Sequence, residues 1–355
     1  MQRKMKRKLR IAQIAPLWFP IPPKKYGGIE RIISFLTEEL VRRGHKVTLF
    51  ASKSSKTKAE LIPVSERGTI SLGIGWHDYW WNLFCHSRAF ERAANFDIVH
   101  CHWGIMGGFF QKIVKTPVLH TMHNIPIFLD SRWKIFKHYK NDLNLVFISK
   151  SEKRNAPVRF KNNWVVYNGI DVSQFKFSSK PKEHFIWIAR ICDAKGTKEA
   201  IEIAKKAKVK LLLAGQLQPH HGEYFEKEIK PELNSQIKYI GEISQEKLSG
   251  FYGQALACLY PIKWEEPFGL VMAESMACGT PVIAFDRGSA KEVVKDGKTG
   301  FVVKDIKEAI EAIKKISQID RMNCRKRVEN FFSYQRMVSD YEKVYQEILS
   351  RKEIK

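Results

Sequence analysis

The sequence has no apolar run approaching the roughly 18–20 residues that a membrane-crossing helix needs. Its first residues are charged and lack the apolar stretch of a secretion signal. No two of its six cysteines (Cys85, Cys101, Cys192, Cys258, Cys278, Cys324) are spaced C-x-x-C. Metal ribbons and redox dithiols therefore have no framework, and reduced, buried thiols of a cytoplasmic protein are expected. No two aspartates stand as D-x-D, a spacing by which oxygen ligands bridge a metal to a diphosphate. Glycine loops for nucleotides are also missing. Gly297-Lys298-Thr299 has Glu292 where a P-loop begins with glycine, and Gly73-Ile74-Gly75 has Asp78 in place of the third glycine of a dinucleotide fingerprint. Kinase-type and NAD-type readings lose their usual support.

Acidic residues are scarce relative to basic ones: 37 against 61, a net charge of +24 over 355 residues. A solvated lysine-rich surface accounts for such an excess. So would attraction to an anionic membrane face or a lipid-linked acceptor. Nucleic acid is the third candidate partner, but no zinc finger, RNA-binding aromatic signature or clear helix-turn-helix accompanies the charge. The hydrophobic fraction of 44% is that of a folded protein.

What is present is a regular alternation. Arg10–Pro16 reads as a buried strand, followed by a Pro/Gly-rich loop. Ile29, Ile32, Ile33, Leu36 and Leu40 then fall at helical spacing, up to Gly44. Further strands are expected at 46–51, 97–101, 117–121, 145–149 and 164–167. The same grammar restarts at 185–189, 210–214, 237–240, 257–261, 281–285 and 301–303. The pattern predicts an α/β fold of two Rossmann-like domains, residues 1–172 and 183–333, with parallel sheets and a shared cleft at their strand ends. A last helix from about Tyr334, with Tyr341, Val344, Tyr345 and Ile348 on one face, has too much apolar surface for a free tail. Trp76, Trp80 and Phe84 also recur at helical spacing and are expected to pack in a core, an acceptor or membrane surface being the other use for them.

Without a metal, a diphosphate must be met by cations and helix N-termini. Arg190 and Lys195 follow the first strand of the second half, where a guanidinium fork and a point charge suit phosphate oxygens. Gly27-Gly28 opens the first long helix with bare amides. The segment from Trp264 to Pro281 is the most informative. Pro267 is expected to start a helix and Gly279 to end it. Glu266 and Glu274 are eight residues apart, about 12 Å on a helix at ~1.5 Å per residue. That is too far to share a metal or a proton, but it suits two hydroxylated ends of one ligand. Phe268, Gly269 and Leu270 lie between them and supply amides for the charged bridge. The histidines His100, His102, His120 and His123 are dense, but His120 and His123 leave their strand on opposite faces, which disfavours a metal site.

Taken in order, these segments resemble the retaining glycosyltransferases of family 4, which have the two-domain GT-B fold. The matching residues are Tyr26 to Arg31, Phe96 to His102, Thr121-Met122-His123, Tyr167 to Asp171, Arg190 with Lys195-Gly196, and the E-P-F-G-L-x-x-x-E block from Glu266 to Glu274. The resemblance implies a hexose transferred from a nucleotide-diphosphate sugar (UDP first, GDP or ADP next) to an unidentified acceptor, with retention and without a metal. Glu266 would hold donor-sugar hydroxyls and Glu274 the ribose. Arg190 and Lys195 would neutralise the leaving diphosphate, and Gly28 would admit a phosphate. His123 would line the sugar pocket, and Ile240 and Gly241 would read the base through backbone. The first domain would be the acceptor side and the second would bind the nucleotide-sugar donor, with the helix 334–355 crossing back to the first domain. Asn124 departs from the Gly or Asp common after that histidine, which bears on sugar identity. An epimerase of the same fold, or a basic protein that binds membrane or nucleic acid, is the alternative.

Overall fold

A computed structural model describes residues 7–24, 27–76, 78–104, 106–123 and 130–353. Tyr26 and Asn124 lie outside these. The chain forms two compact units, 1–169 with 334–355, and 170–333.

The first unit has a seven-stranded sheet in the order β3-β2-β1-β4-β5-β6-β7. Its strands are β1 (Arg10–Ile14), β2 (Lys46–Ser52), β3 (Glu60–Ser65), β4 (Ile98–Cys101), β5 (Val118–Met122), β6 (Asn144–Phe147) and β7 (Asn162–Val165), and every pairing is parallel. Strand β3 is not apparent in the sequence pattern. It contains Pro63, which lacks an N–H and reads as a break; here it sits on an edge strand that pairs only with β2. The second unit has six strands in the order β10-β9-β8-β11-β12-β13. They are β8 (Phe185–Ile188), β9 (Leu211–Ala214), β10 (Ile237–Tyr239), β11 (Cys258–Tyr260), β12 (Val282–Phe285) and β13 (Gly300–Val303), again parallel.

In each sheet the strand order reverses once, between β1 and β4 and between β8 and β11. Loops leaving the carboxyl ends on either side of such a reversal diverge and open a crevice. The chemistry-bearing residues of each unit are delivered there.

The final helix, Tyr334–Glu353, belongs to the first unit. Its Tyr341, Val344, Tyr345 and Ile348 are buried, as its apolar face requires. Two of its tyrosines enter the polar interior of the sheet. Tyr345 lies 2.8 Å from His100 Nδ1 and 3.2 Å from Gln13 Nε2, and Tyr341 lies 3.1 Å from Thr121 Oγ1. Removing a hydroxyl that serves two buried partners leaves both unsatisfied. Tyr345→Phe is therefore expected to lower unfolding stability by about 1–3 kcal/mol, read by urea titration. A change under about 0.5 kcal/mol would mean that this hydroxyl does not tie the helix to the sheet.

One packing expectation is corrected. Trp76, Trp80 and Phe84 do not enter a core: they are 36%, 77% and 48% exposed. The helix begins only at Trp80 and runs to Phe90, burying Asn82, Cys85, His86 and Ala89 instead. Helical spacing identifies a shared face but not whether anything covers it. All six cysteines are free and buried.

Candidate functional site

In the second unit the site is built on the reversal between β8 and β11. After β8 the chain turns through Arg190 to a short 3-10 turn, Asp193–Lys195, and enters the helix Thr197–Ala207 at Gly196. Gly196 has φ +70°, and a Cβ there would stand 1.9 Å from the Pro261 carbonyl oxygen. Only glycine lets this loop close onto the end of β11. After β11 come Trp264 and Glu266. The Glu266 carboxylate is buried and one of its oxygens collects three donors: Lys195 Nζ at 2.5 Å, Trp264 Nε1 at 2.9 Å and Tyr260 OH at 3.1 Å. Lys195 also lies 4.6 Å from the centre of the Trp264 ring, a cation–π contact that holds the ammonium beside the carboxylate. Burial of the Tyr260 phenol, together with the charge on Glu266, pushes it up. That tyrosine is thus a fixed donor.

Arg190 donates to Gln218 Oε1 at 3.4 Å. Glu274 is buried in the helix Leu270–Ala277 and accepts from Tyr252 OH at 2.8 Å. The pair answers the cost of a carboxylate among Ala273, Met276 and Ala277. The helix starts later than Pro267 implies. Its N-cap is Gly269, at φ +74°, and its first residue is Leu270. Phe268 precedes the helix, with its ring buried edge-on against Phe332 at 5.5 Å and its carbonyl held by Ser289 Oγ. Of the three amides expected in the first helical turn, only that of Leu270 belongs to it. Ile240 and Gly241 follow β10 on the same side of the sheet. Ile240 is 46% exposed, and the Gly241 carbonyl accepts from Gly215 N–H at 2.9 Å.

The first unit has its own concavity at the reversal between β1 and β4, a cavity of about 490 Å³. Trp18 and Phe19 reach it from the loop after β1, Trp103 from the loop after β4, and His123 from just beyond β5. Gly28 and Glu30 come from the helix Gly28–Arg42, and Trp76 and Tyr79 from the loop ahead of Trp80. Gly27 caps that helix at φ +143°. His123, Gly28 and the aromatic loop therefore share one wall, which the sequence alone does not reveal.

His123 ends a buried polar chain. Its Nε2 lies 3.2 Å from His102 Nδ1, and His102 Nε2 lies 2.5 Å from Gln13 Oε1. Burial drives the His123 imidazole down to about 3 and holds His102 well below its ordinary value, so both rings are neutral. The Gln13 carbonyl oxygen accepts only, so His102 carries its proton on Nε2. His102 Nδ1 must then accept from His123 Nε2–H. That leaves His123 Nδ1 as an acceptor. The family resemblance marks His123 for a pocket; Gln13 carries no sequence signal, and His102 stands out only as one of four dense histidines and as the end of the matching segment Phe96 to His102. Among the described residues, no group of three or more histidines, cysteines or carboxylates is arranged to hold a metal ion. No described helix is long and apolar enough to cross a membrane.

Two parallel α/β units, each with polar side chains gathered at its strand-order reversal, define a Rossmann-like protein of the GT-B type. Residues 26–174 match Glycosyltransferase Family 4, and residues 171–331 match Glycosyl transferases group 1. The chain belongs to this glycosyltransferase family. It is 24% identical over 334 residues to an uncharacterized glycosyltransferase of Methanocaldococcus jannaschii, covering 82% of this chain and 85% of that one. Its fold is similar to that of a sucrose-phosphate synthase from Thermosynechococcus elongatus, with a TM-score of 0.78 at 21% identity over 97% of this chain and 100% of the other. It is also similar to Anabaena HepE in complex with UDP and glucose, with a TM-score of 0.73 at 17% identity over 96% of this chain and 100% of that one.

Proposed function

We propose that this glycosyltransferase moves a hexose from a UDP-sugar to a hydroxyl acceptor, with retention of anomeric configuration and without a metal. What carries the reading is the Lys195–Glu266 pair. A buried carboxylate and a largely enclosed ammonium sit where β8 and β11 diverge, with Arg190 on the same loop. On this reading Arg190 and Lys195 meet the diphosphate. Lys195 has three N–H donors, so one can stay on Glu266 while others reach phosphate. The negative charge on the departing diphosphate grows during transfer, and cations already in place stabilise it without reorganising. Glu266 receives sugar hydroxyls, Glu274 the ribose, and the backbone at Ile240 and Gly241 the base. Gly27 and Gly28 leave room for a phosphate oxygen at the head of their helix, and His123 Nδ1 accepts from a sugar hydroxyl.

The test is a thermal-shift panel of UDP-, GDP- and ADP-sugars and the bare diphosphates, in EDTA. UDP and UDP-sugars are expected to stabilise the protein. Arg190→Ala and Lys195→Ala are each expected to weaken UDP binding by about tenfold or more, corresponding to roughly 1.5–3 kcal/mol per charged hydrogen bond. Undiminished UDP affinity in both variants would remove these residues from the diphosphate. Stabilisation that needs a divalent cation would end the metal-free reading.

A further inference from the structure

The cavity of the first unit has two features that the donor reading does not use. The first is a pair of orphaned polar atoms. Glu30 is 2% exposed, and its Oε1 has no hydrogen-bond partner. Trp18 Nε1 is likewise buried without one. Both residues line the cavity. One atom accepts and the other donates, and a hydroxyl group can satisfy both. Buried polar atoms of folded proteins are nearly all paired, so two orphans on one cavity point to a missing ligand.

The second feature is the charge of the lining. The protein carries +24 overall, yet no lysine or arginine is among the described residues that line this cavity. The carboxyl and imidazole groups among the described lining residues are Glu30, His102 and His123, and the two histidines are neutral. Burial raises the Glu30 carboxyl to about 7; protonated or not, it offers an anion no positive charge. The rest of the described wall is aromatic and aliphatic. Trp18 packs on Trp76 at 5.2 Å and on Trp103 at 5.7 Å, and Tyr79 stacks on Trp103 at 5.4 Å. These rings form a preassembled apolar surface, with Trp76 and Tyr79 partly exposed at 36% and 42%.

We propose that this cavity binds the acceptor as an uncharged, hydroxyl-bearing ring compound, packed on the tryptophans with a hydroxyl on Glu30 and Trp18, and that it discriminates against phosphorylated forms of the same compound. Away from the Gly28 helix head, which the donor's phosphate would occupy, a phosphate on the acceptor would lose its hydration without gaining a cation from the described lining, beside the Glu30 carboxyl. A neutral ring places its apolar face on the indoles and its hydroxyls on the orphaned atoms. The inference rests on the glycosyltransferase reading for calling this compound the acceptor, but the binding preference stands or falls separately.

The experiment is calorimetric titration of the full chain with phenyl β-glucoside and with its 6-phosphate, and of UDP in a parallel run. The glucoside is expected to bind, and the 6-phosphate to bind at least tenfold more weakly. Glu30→Gln is expected to weaken glucoside binding by about fivefold or more and to narrow the gap between the two ligands. Should that variant not fold, Trp76→Ala alters only the partly exposed wall and is expected to weaken the glucoside to a similar degree. No glucoside binding, equal or tighter binding of the phosphate, or unchanged glucoside affinity in the folded variants would overturn the proposal. Failure of UDP to bind would count against the donor reading alone.

Discussion

Glu266→Gln is expected to lower turnover of UDP-glucose by about 10²–10³-fold, the scale of losing one preorganised group around developing charge, while UDP affinity stays within about threefold. The substitution preserves shape and removes the charge. In the folded protein one carboxylate oxygen holds Lys195, Tyr260 and Trp264 at once. A glutamine oxygen can keep some of these bonds, but it leaves the Lys195 ammonium unneutralised in a place where its side chain is only 13% exposed. Breaking one side of a buried ion pair costs about 3–5 kcal/mol when the remaining charge is fully enclosed; Lys195 retains some solvent and its Trp264 contact, so a smaller loss is expected. Release of UDP from UDP-glucose measures the turnover, and titration with UDP measures the affinity. Near-normal turnover would show that Glu266 only anchors Lys195. Loss of UDP binding with turnover per bound donor intact would assign it to the nucleotide.

The second large effect is expected at a residue with no functional group. Gly288 follows β12 with φ +56°, and a Cβ there would stand 2.1 Å from the Glu266 carbonyl oxygen and 2.4 Å from its nitrogen. Both contacts are to backbone, which a rotamer change cannot relieve. Gly288→Ala must push the Glu266 backbone aside. The left-handed conformation adds about 1–2 kcal/mol and the overpacking about 1–3 kcal/mol. Gly297 separates these two costs. It is also left-handed, at φ +67°, but a Cβ there meets nothing within 4 Å. Gly297→Ala is expected to lose only the conformational share of stability and to keep its activity. Gly288→Ala is expected to lose about 2–5 kcal/mol and, because the displaced atoms carry Glu266, most of its turnover. Denaturant unfolding and UDP release on the two variants make the comparison. Equal stability and equal activity in the pair would show that the loop after β12 does not fix the position of Glu266.

Much of this was open to inspection in one dimension. The strand–helix alternation, Arg190 and Lys195 after β8, and the two glutamates of the Glu266–Glu274 block are local patterns, and local patterns survive in a sequence. The buried face of the last helix was equally readable, since Tyr341, Val344, Tyr345 and Ile348 recur at helical spacing and are all covered. One omission and two misreadings share one cause. Pro63 hid β3, because a proline is a strand breaker except on an edge, and only the sheet order says which strand is the edge. Pro267 marked a helix start that comes at Leu270, because the Phe268 ring is drawn into a contact with Phe332. The stripe Trp76, Trp80 and Phe84 had the period of a buried face, but Trp76 packs only partly, against Trp18 and Phe19, and among the described residues no element buries Trp80 and Phe84.

By itself, the sequence determined the two α/β units, the family, and which charged residues end up at strand ends, because period, turn chemistry and motif spacing act between near neighbours. Only the tertiary structure decided that Lys195 and Glu266 are one ion pair and that Gln13 and His102 fix the tautomer of His123. It also decided that Glu30, an ordinary first-turn acid on paper, is a buried carboxylate on an aromatic cavity. Those properties depend on burial and on partners far away in the chain, and both arise only when the sheets assemble.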